Sequence, residues 1–247
     1  MHVEDVGTGP AVLALHGLGG GAYFFRGLAE RLQPDYRVIA VDLPVAPDTF
    51  SMDTWVNDLG ALVAGRTTEP VVVLGHSMGT ILALHAWAAW PERIRGLIFV
   101  GGVPQVAPRI RERLSDRVQA LEGARDLIGW GPKVSPGVFS PATLRTRPEV
   151  VAAFERLFEA QAVESYVRCC HILLGANAEP LVKTVAVPCL AITGEHDQYA
   201  PPAAVTDFLR HLPQPARLEV LADCGHLPFL EQPDAFAAMV KPFLRSC

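Results

Sequence analysis

The 247 residues carry 21 Lys and Arg against 26 Asp and Glu, a formal net charge of −5, with a pI of ≈ 5.9 and a mean hydropathy of +0.24. An acidic balance of this kind offers no electrostatic grip on nucleic acid or an anionic membrane, and 50% hydrophobic with 19% charged residues excludes a disordered chain. The start Met1-His2-Val3-Glu4-Asp5 is acidic where a secretory leader is basic, no apolar run reaches a membrane span, and the five cysteines lack metal-type spacing, so reduced thiols in a cytoplasmic protein are expected.

Strands and helices alternate through the first hundred residues. Ala11 to Leu15 reads as a strand, ended by His16-Gly17-Leu18-Gly19-Gly20-Gly21, and Phe24 to Leu32 carries helical apolar spacing. Arg37 to Val41 is the next strand. Asp53 to Ala64 is a helix with Ser51 or Asp53 as its N-cap. Pro70 to Leu74 is a short apolar run rich in β-branched residues, Thr80 to Trp87 is helical, Pro91-Glu92 ends that helix, and Ile94 to Val100 is a further strand. Such alternation predicts a mostly parallel sheet with helices on both faces, an α/β fold.

The rhythm breaks after Val103-Pro104. Arg109 to Leu127 and Pro148 to Leu174 carry helical patterns, joined by a Gly/Pro-rich connection from Gly129 to Pro141. Alternation resumes with the strand Pro188 to Thr193, the helix Ala203 to His211, the strand Ala216 to Leu221 and a last helix from Pro233 to Leu244. The expected organisation is a core from residues 1–103 and 185–247, interrupted by a helical lid over 104–184.

Between the strand at Pro70 and the helix after it stands Gly75-His76-Ser77-Met78-Gly79, a Gly-x-Ser-x-Gly. In that setting the serine sits on a tight, strained turn, and the glycines keep side chains out of the gap between strand and helix. A serine hydroxyl is a poor nucleophile near neutrality, so it requires a base, and the base an orienting acid. In a parallel sheet these groups gather at the carboxyl ends of strands. Thr193 is followed by Gly194-Glu195-His196-Asp197, and Leu221 by Ala222-Asp223-Cys224-Gly225-His226. Asp197 and His226 are the acid and base of choice. Glu195 and Asp223 are rivals for the acid, although Asp223 shares a loop with His226 and is badly placed to reach its far nitrogen. Of the other histidines, His16 is expected to brace the loop after its strand, His76 to fill a variable position in the turn, and His171 to be a possible substrate contact.

His16-Gly17, Gly75 to Gly79, Gly194 to Asp197 with Pro201, and Gly225-His226 with Glu231-Gln232-Pro233 together resemble the α/β-hydrolase superfamily. The likeness covers nearly the whole chain outside the lid. It implies Ser77 as nucleophile, Asp197 as acid, His226 as base, and an oxyanion hole from the backbone N–H groups of Leu18 and Met78. The segment Tyr166 to His171, followed by Val187-Pro188, is similar to the bacterial carboxylesterase and 3-oxoadipate enol-lactonase-like branch. Where relatives often run Asp-x-Pro-Gly-x-Gly-x-Ser, this chain has Asp42 to Ser51 without a glycine, so that loop is expected to have its own shape. Only Val3 to Val6 precedes Gly7, so a usual leading strand looks missing or shortened.

The expected reaction is hydrolysis of a small to medium ester or lactone through an acyl-enzyme on Ser77. Substrate contacts are expected from Tyr23, Phe24, Val103, Trp130, Phe139, Tyr199 and Leu227, with Arg168 a possible partner for a substrate carboxylate. Two alternatives are carbon–carbon bond cleavage of meta-cleavage products by the same triad, and a non-catalytic receptor on this scaffold. No cofactor and no metal are implied. Nucleic acid and membrane are not expected partners, and oligomeric state is not legible.

Overall fold

The computed structural model describes residues 1–44 and 51–247. The loop expected to depart from the family pattern falls largely on Val45 to Phe50, outside the described residues. Among the described residues seven strands form one sheet: β1 (Val3–Gly7), β2 (Ala11–Leu15), β3 (Arg37–Val41), β4 (Val71–His76), β5 (Ile94–Val100), β6 (Cys189–Gly194) and β7 (Arg217–Leu221). Their order is β1-β3-β2-β4-β5-β6-β7. β1 runs antiparallel to β3, and all other neighbours are parallel. The short leading segment forms a single five-residue edge strand.

Every residue of β2 and β4 is buried. Successive strand residues point to opposite faces, so burial of all of them requires cover on both sides of the sheet. The cover comes from α1 (Arg26–Leu32), α2 (Met52–Ala64), α3 (Met78–Ala89), α10 (Pro202–Leu209), α11 (Pro228–Glu231) and α12 (Pro233–Ser246), with α4 to α9 inserted between β5 and β6. Helix α3 buries nine of its twelve residues, as a helix apolar on every side must. Helix α2 starts on Ser51, whose side chain accepts from the Thr54 amide. Among the described residues no helix is long and apolar enough to cross a membrane.

The insertion comprises α4 (Pro108–Leu121), α5 (Gly131–Val138), α6 (Pro141–Thr146), α7 (Pro148–Glu159), α8 (Val163–Gly175) and α9 (Glu179–Val182). It differs from its expected outline in three places. The first helix ends at Leu121 instead of Leu127, with Gly123 in the left-handed region at φ +74. The second is two helices, separated at Ala160 to Ala162. The Gly/Pro-rich connection is itself mostly helical. Pro132 and Pro141 lie in first turns, where a missing N–H costs nothing. The amides of Gly129 and Gly131 both donate to Glu159 Oε1 (2.9 and 3.0 Å), and the Ser140 hydroxyl caps α6. The stem of the insertion is held by a Gln105–Asn177 bridge and by the Ala178 amide donating to Pro104 O at 2.9 Å.

β2 has β3 on one side and β4 on the other, so the chain reverses its direction of travel across the sheet between them. At such a switch point the loops leaving the two strand ends part and open a crevice. The loop after β2 begins at His16, and the turn after β4 holds Ser77.

Candidate active site

Ser77 has φ 53 and ψ −114, one of two non-glycine residues with positive φ among the described residues. The packing around it enforces this conformation. A Cβ on Gly75 would lie 2.2 Å from Gly79 O, and one on Gly79 would lie 2.3 Å from Leu15 O, so β4, α3 and the end of β2 close on each other only through glycine. The Ser77 amide donates to Val100 O (2.9 Å), and the Thr80 hydroxyl donates to Gly75 O (2.9 Å), which pins both ends of the turn. Met78 opens α3, so its N–H lies outside the helix's own ladder at the positive end of the helix dipole.

At the end of β6, Asp197 is 3% exposed. Its Oδ1 accepts from the amides of Tyr199 (2.8 Å) and Ala200 (2.9 Å), and the Thr193 hydroxyl reaches Oδ2 at 3.4 Å. After β7, His226 presents Nδ1 to both Asp197 oxygens, at 3.0 and 2.8 Å. An ionised carboxylate only accepts, so Nδ1 carries the proton and Nε2 keeps its lone pair. His226 and Ser77 line the same cavity. The rivals stand apart: Glu195, His196 and Asp223 are exposed, and Glu195 accepts from the Asp223 amide.

Four further groups hold this arrangement. His76, expected to be a filler, is buried with its ring 4.7 Å from that of His226, and its Nε2 donates to His226 O at 3.0 Å. Burial and the neighbouring His226 hold its pKa well below the usual value, so it stays neutral. Gly101 has φ +51, and a Cβ there would lie 2.9 Å from Asp197 Oδ2 and 3.0 Å from His226 Nδ1. Glu231, 4% exposed, takes the amides of Gly225 and Leu227 on Oε1 and the Ser140 amide and Thr143 hydroxyl on Oε2. That one carboxylate ties the His226 loop to the insertion. His16 donates from Nδ1 to Gly17 O (2.8 Å) and accepts at Nε2 from the Leu43 amide (3.0 Å), steadying the loop that carries Leu18. His76 and Gly101 had sequence signals, a His before the serine and a Gly ending a strand. Glu231 was visible only as part of a motif.

The cavity over Ser77 takes its wall from the strand-end loops and from the insertion. Of the expected contacts Phe24, Val103, Tyr199 and Leu227 line it, together with Leu18 and Met78. Five expected contacts lie elsewhere. Tyr23 faces a second space behind the Gly-rich loop, beside Asp42 and Gln161. Trp130 packs under the Lys133 ammonium, 4.5 Å from its ring centroid. Phe139 is turned into the core edge-on to Phe154, and its neighbour Val138 takes the wall position. On α8, Tyr166 and Leu173 face the cavity. Arg168 is two residues beyond Tyr166, about 200° around a helix of 100° per residue, and belongs to the opposite side. His171 is exposed. Unforeseen wall residues come from α4, whose Ile110, Arg113, Leu114 and Arg117 recur at helical spacing.

The cysteines are all free. Cys169 and Cys170 are buried among apolar groups that push both thiols up to about 12, so neither is a thiolate near neutrality.

The model of the alpha/beta hydrolase family matches residues 12–239. The chain is 32% identical, over an alignment of 270 positions, to the pimeloyl-[acyl-carrier protein] methyl ester esterase of Xanthomonas axonopodis pv. citri, covering 100% of this chain and 99% of that protein. It is similar in structure to a thermophilic esterase from Thermogutta terrifontis, with a TM-score of 0.89, 26% identity, and coverage of 99% and 93% of the two chains. The enol-lactonase from Burkholderia xenovorans LB400 shares the fold at a TM-score of 0.89 and 22% identity, over 99% and 95% of the chains.

Proposed function

The chain belongs to the alpha/beta hydrolase family and is a carboxylic ester hydrolase, and from that premise we propose that it cleaves a small to medium ester or lactone through an acyl-enzyme on Ser77. The observation that carries this reading is the bidentate hold of Asp197 on His226 Nδ1, beside a serine at positive φ. With Nδ1–H committed to the carboxylate, Nε2 is the basic nitrogen available to Ser77. Ser77 Oγ attacks the carbonyl carbon while His226 takes its proton, and the N–H groups of Leu18 and Met78 receive the developing oxyanion. His226 returns the proton to the leaving alcohol. A water, deprotonated by the same nitrogen, then releases the acid and restores Ser77. Asp197 remains ionised and stabilises the imidazolium between the two proton transfers.

The largely apolar wall suits an apolar acyl chain, and the methyl ester in the name of the Xanthomonas relative supports a small alcohol as leaving group. The helices between Pro104 and Thr184 serve as a lid that shapes this space.

A series of p-nitrophenyl esters from acetate to octanoate, run beside a lactone panel, tests the reading. Turnover with burst kinetics is expected, and Ser77→Ala should lower kcat by about a millionfold. A pure Ser77→Ala protein that hydrolyses these esters at near the wild-type rate rules out the scheme.

A further inference from the structure

Of the seven polar side chains that the described residues place on the wall of the active-site cavity, His76, Ser77 and His226 belong to the site already described. The remaining four are Arg113, Arg117, Tyr166 and Tyr199. Among the described residues no Asp or Glu lines this cavity, although acids outnumber bases in the whole chain. Both charges on the wall are positive, and both come from one face of α4.

Arg117 is the inner of the two, half-buried where Arg113 is exposed. Its Nη1 donates to the Tyr166 hydroxyl at 2.7 Å, and the Tyr199 hydroxyl lies beside it. Burial holds the Tyr166 phenol protonated, so it offers Arg117 a neutral acceptor and no counter-charge. Among the described residues no carboxylate lies within ion-pair distance of Arg117, whereas Arg26, Arg31, Arg37 and Arg147 each have one. Arg111, six residues earlier on the same helix, spends its guanidinium on Leu174 O and ties α4 to α8. A guanidinium has five N–H donors and does not lose its charge. Held in an apolar wall without a counter-charge, it is costly unless something that enters the cavity supplies one.

The placement is also specific. The Tyr199 ring lies 4.8 Å from the His226 ring, while its hydroxyl is beside Arg117. The cationic spot therefore stands one tyrosine's width from the base, against the same void as Ser77.

We propose that Arg117, with Tyr166 and Tyr199, binds a carboxylate at the far end of the substrate, so that this cavity selects monoesters of aliphatic dicarboxylic acids over neutral esters. This deepens the esterase reading and rests on it. The reaction is that of the ester plus water giving the diacid and the alcohol, with the distal carboxylate unchanged throughout. Arg117 is a specificity residue, since it meets the end of the substrate remote from the bond that breaks.

The test compares monomethyl with dimethyl glutarate, adipate and pimelate, each at equal chain length. Wild-type kcat/KM should favour the monomethyl ester by roughly tenfold to a hundredfold for at least one chain length, the range expected of a charge-assisted hydrogen bond. In Arg117→Gln that ratio should fall toward one, through a higher KM for the monoester, and Arg117→Lys should keep part of it. Equal use of both esters by the wild type at every length, or an unchanged ratio in Arg117→Gln, overturns the proposal. Titration of Ser77→Ala protein with monomethyl and dimethyl adipate gives a readout free of turnover and of the folding of Arg117 variants. Tighter binding of the monoester supports the carboxylate site, and equal binding refutes it. Loss of the esterase reading looks different: no ester of any charge is turned over, whatever the titration shows.

Discussion

The sheet and the inserted helices contribute to one cavity in opposite ways. Ser77, Asp197 and His226 stand one, three and five residues past the ends of the parallel strands β4, β6 and β7, whose pairing brings the three loops to one edge of the sheet. Residues on α4, α5, α7 and α8 face the same space from helices that pack mainly through side chains, with main-chain ties at the stem, Pro104 with Ala178 and Gln105 with Asn177, and from Val138 O to the His226 amide at 2.7 Å. The difference teaches that backbone hydrogen bonding dictates where the reacting groups lie, and side-chain packing dictates what they meet. Chemistry should therefore be lost by changes at strand ends and retuned by changes in the helices.

The sharpest break of that contrast is Asp197→Asn. It keeps the shape of the strand end, where two backbone amides hold Oδ1, but an amide cannot favour the Nδ1–H tautomer or balance an imidazolium. A loss of about 10⁴-fold in kcat with little change in melting temperature is expected. A loss below tenfold would mean that the base is oriented by something other than this carboxylate.

In the helices, Phe154 is the counterpart. It packs against Phe24, Phe139 and Phe158 and lines the cavity. Phe154→Ala should cost about 3–5 kcal/mol of stability by leaving a void, and should shift the preferred p-nitrophenyl ester toward longer acyl chains. Denaturant unfolding and the ester series read the two effects separately. An unchanged chain-length profile would show that the helices do not set the acyl space.

These two regions also differed in what the amino-acid sequence disclosed. That Ser77, Asp197 and His226 come together was legible because Gly-x-Ser-x-Gly, Gly-Glu-His-Asp and Gly-His each follow a short apolar run, and parallel strand ends open on one edge of the sheet. The neighbourhood of the reacting groups was less so. His76 looked incidental because its partner, His226 O, is 150 residues away. Among the pocket residues, aromatic character misled. Trp130 and Phe139 belong to packing, while the wall of α4 was hidden in a stripe of Ile110, Arg113, Leu114 and Arg117 that mixes apolar and charged residues on one face. The prolines of the 129–141 connection suggested a coil, yet Pro132 and Pro141 occupy the first turns that tolerate them.

Glu231 joins the two regions and gives an intermediate effect. Its two oxygens take four donors, two from the His226 loop and two from the start of α6. Glu231→Gln replaces one acceptor with an NH₂ that faces buried donors, and about 1–3 kcal/mol of stability should go. Because the loop also carries the base, kcat should fall while KM for a given ester stays within a few-fold. A variant that loses stability with kcat intact would show that the strap serves the fold and not the site.

The smallest effect belongs to Arg168, the basic residue that the sequence offers most directly as a carboxylate contact. Helix α8 turns Tyr166 and Leu173 to the cavity, and a residue two positions beyond Tyr166 points to the other side. Arg168→Ala should therefore change kcat/KM by less than about threefold, a shift worth under 1 kcal/mol, and by the same factor on monomethyl and dimethyl adipate. The equality matters more than the size. A loss confined to the monomethyl ester would mean that the insertion presents α8 differently when substrate is bound, and the cation that reads the substrate would then be Arg168 on α8 instead of Arg117 on α4.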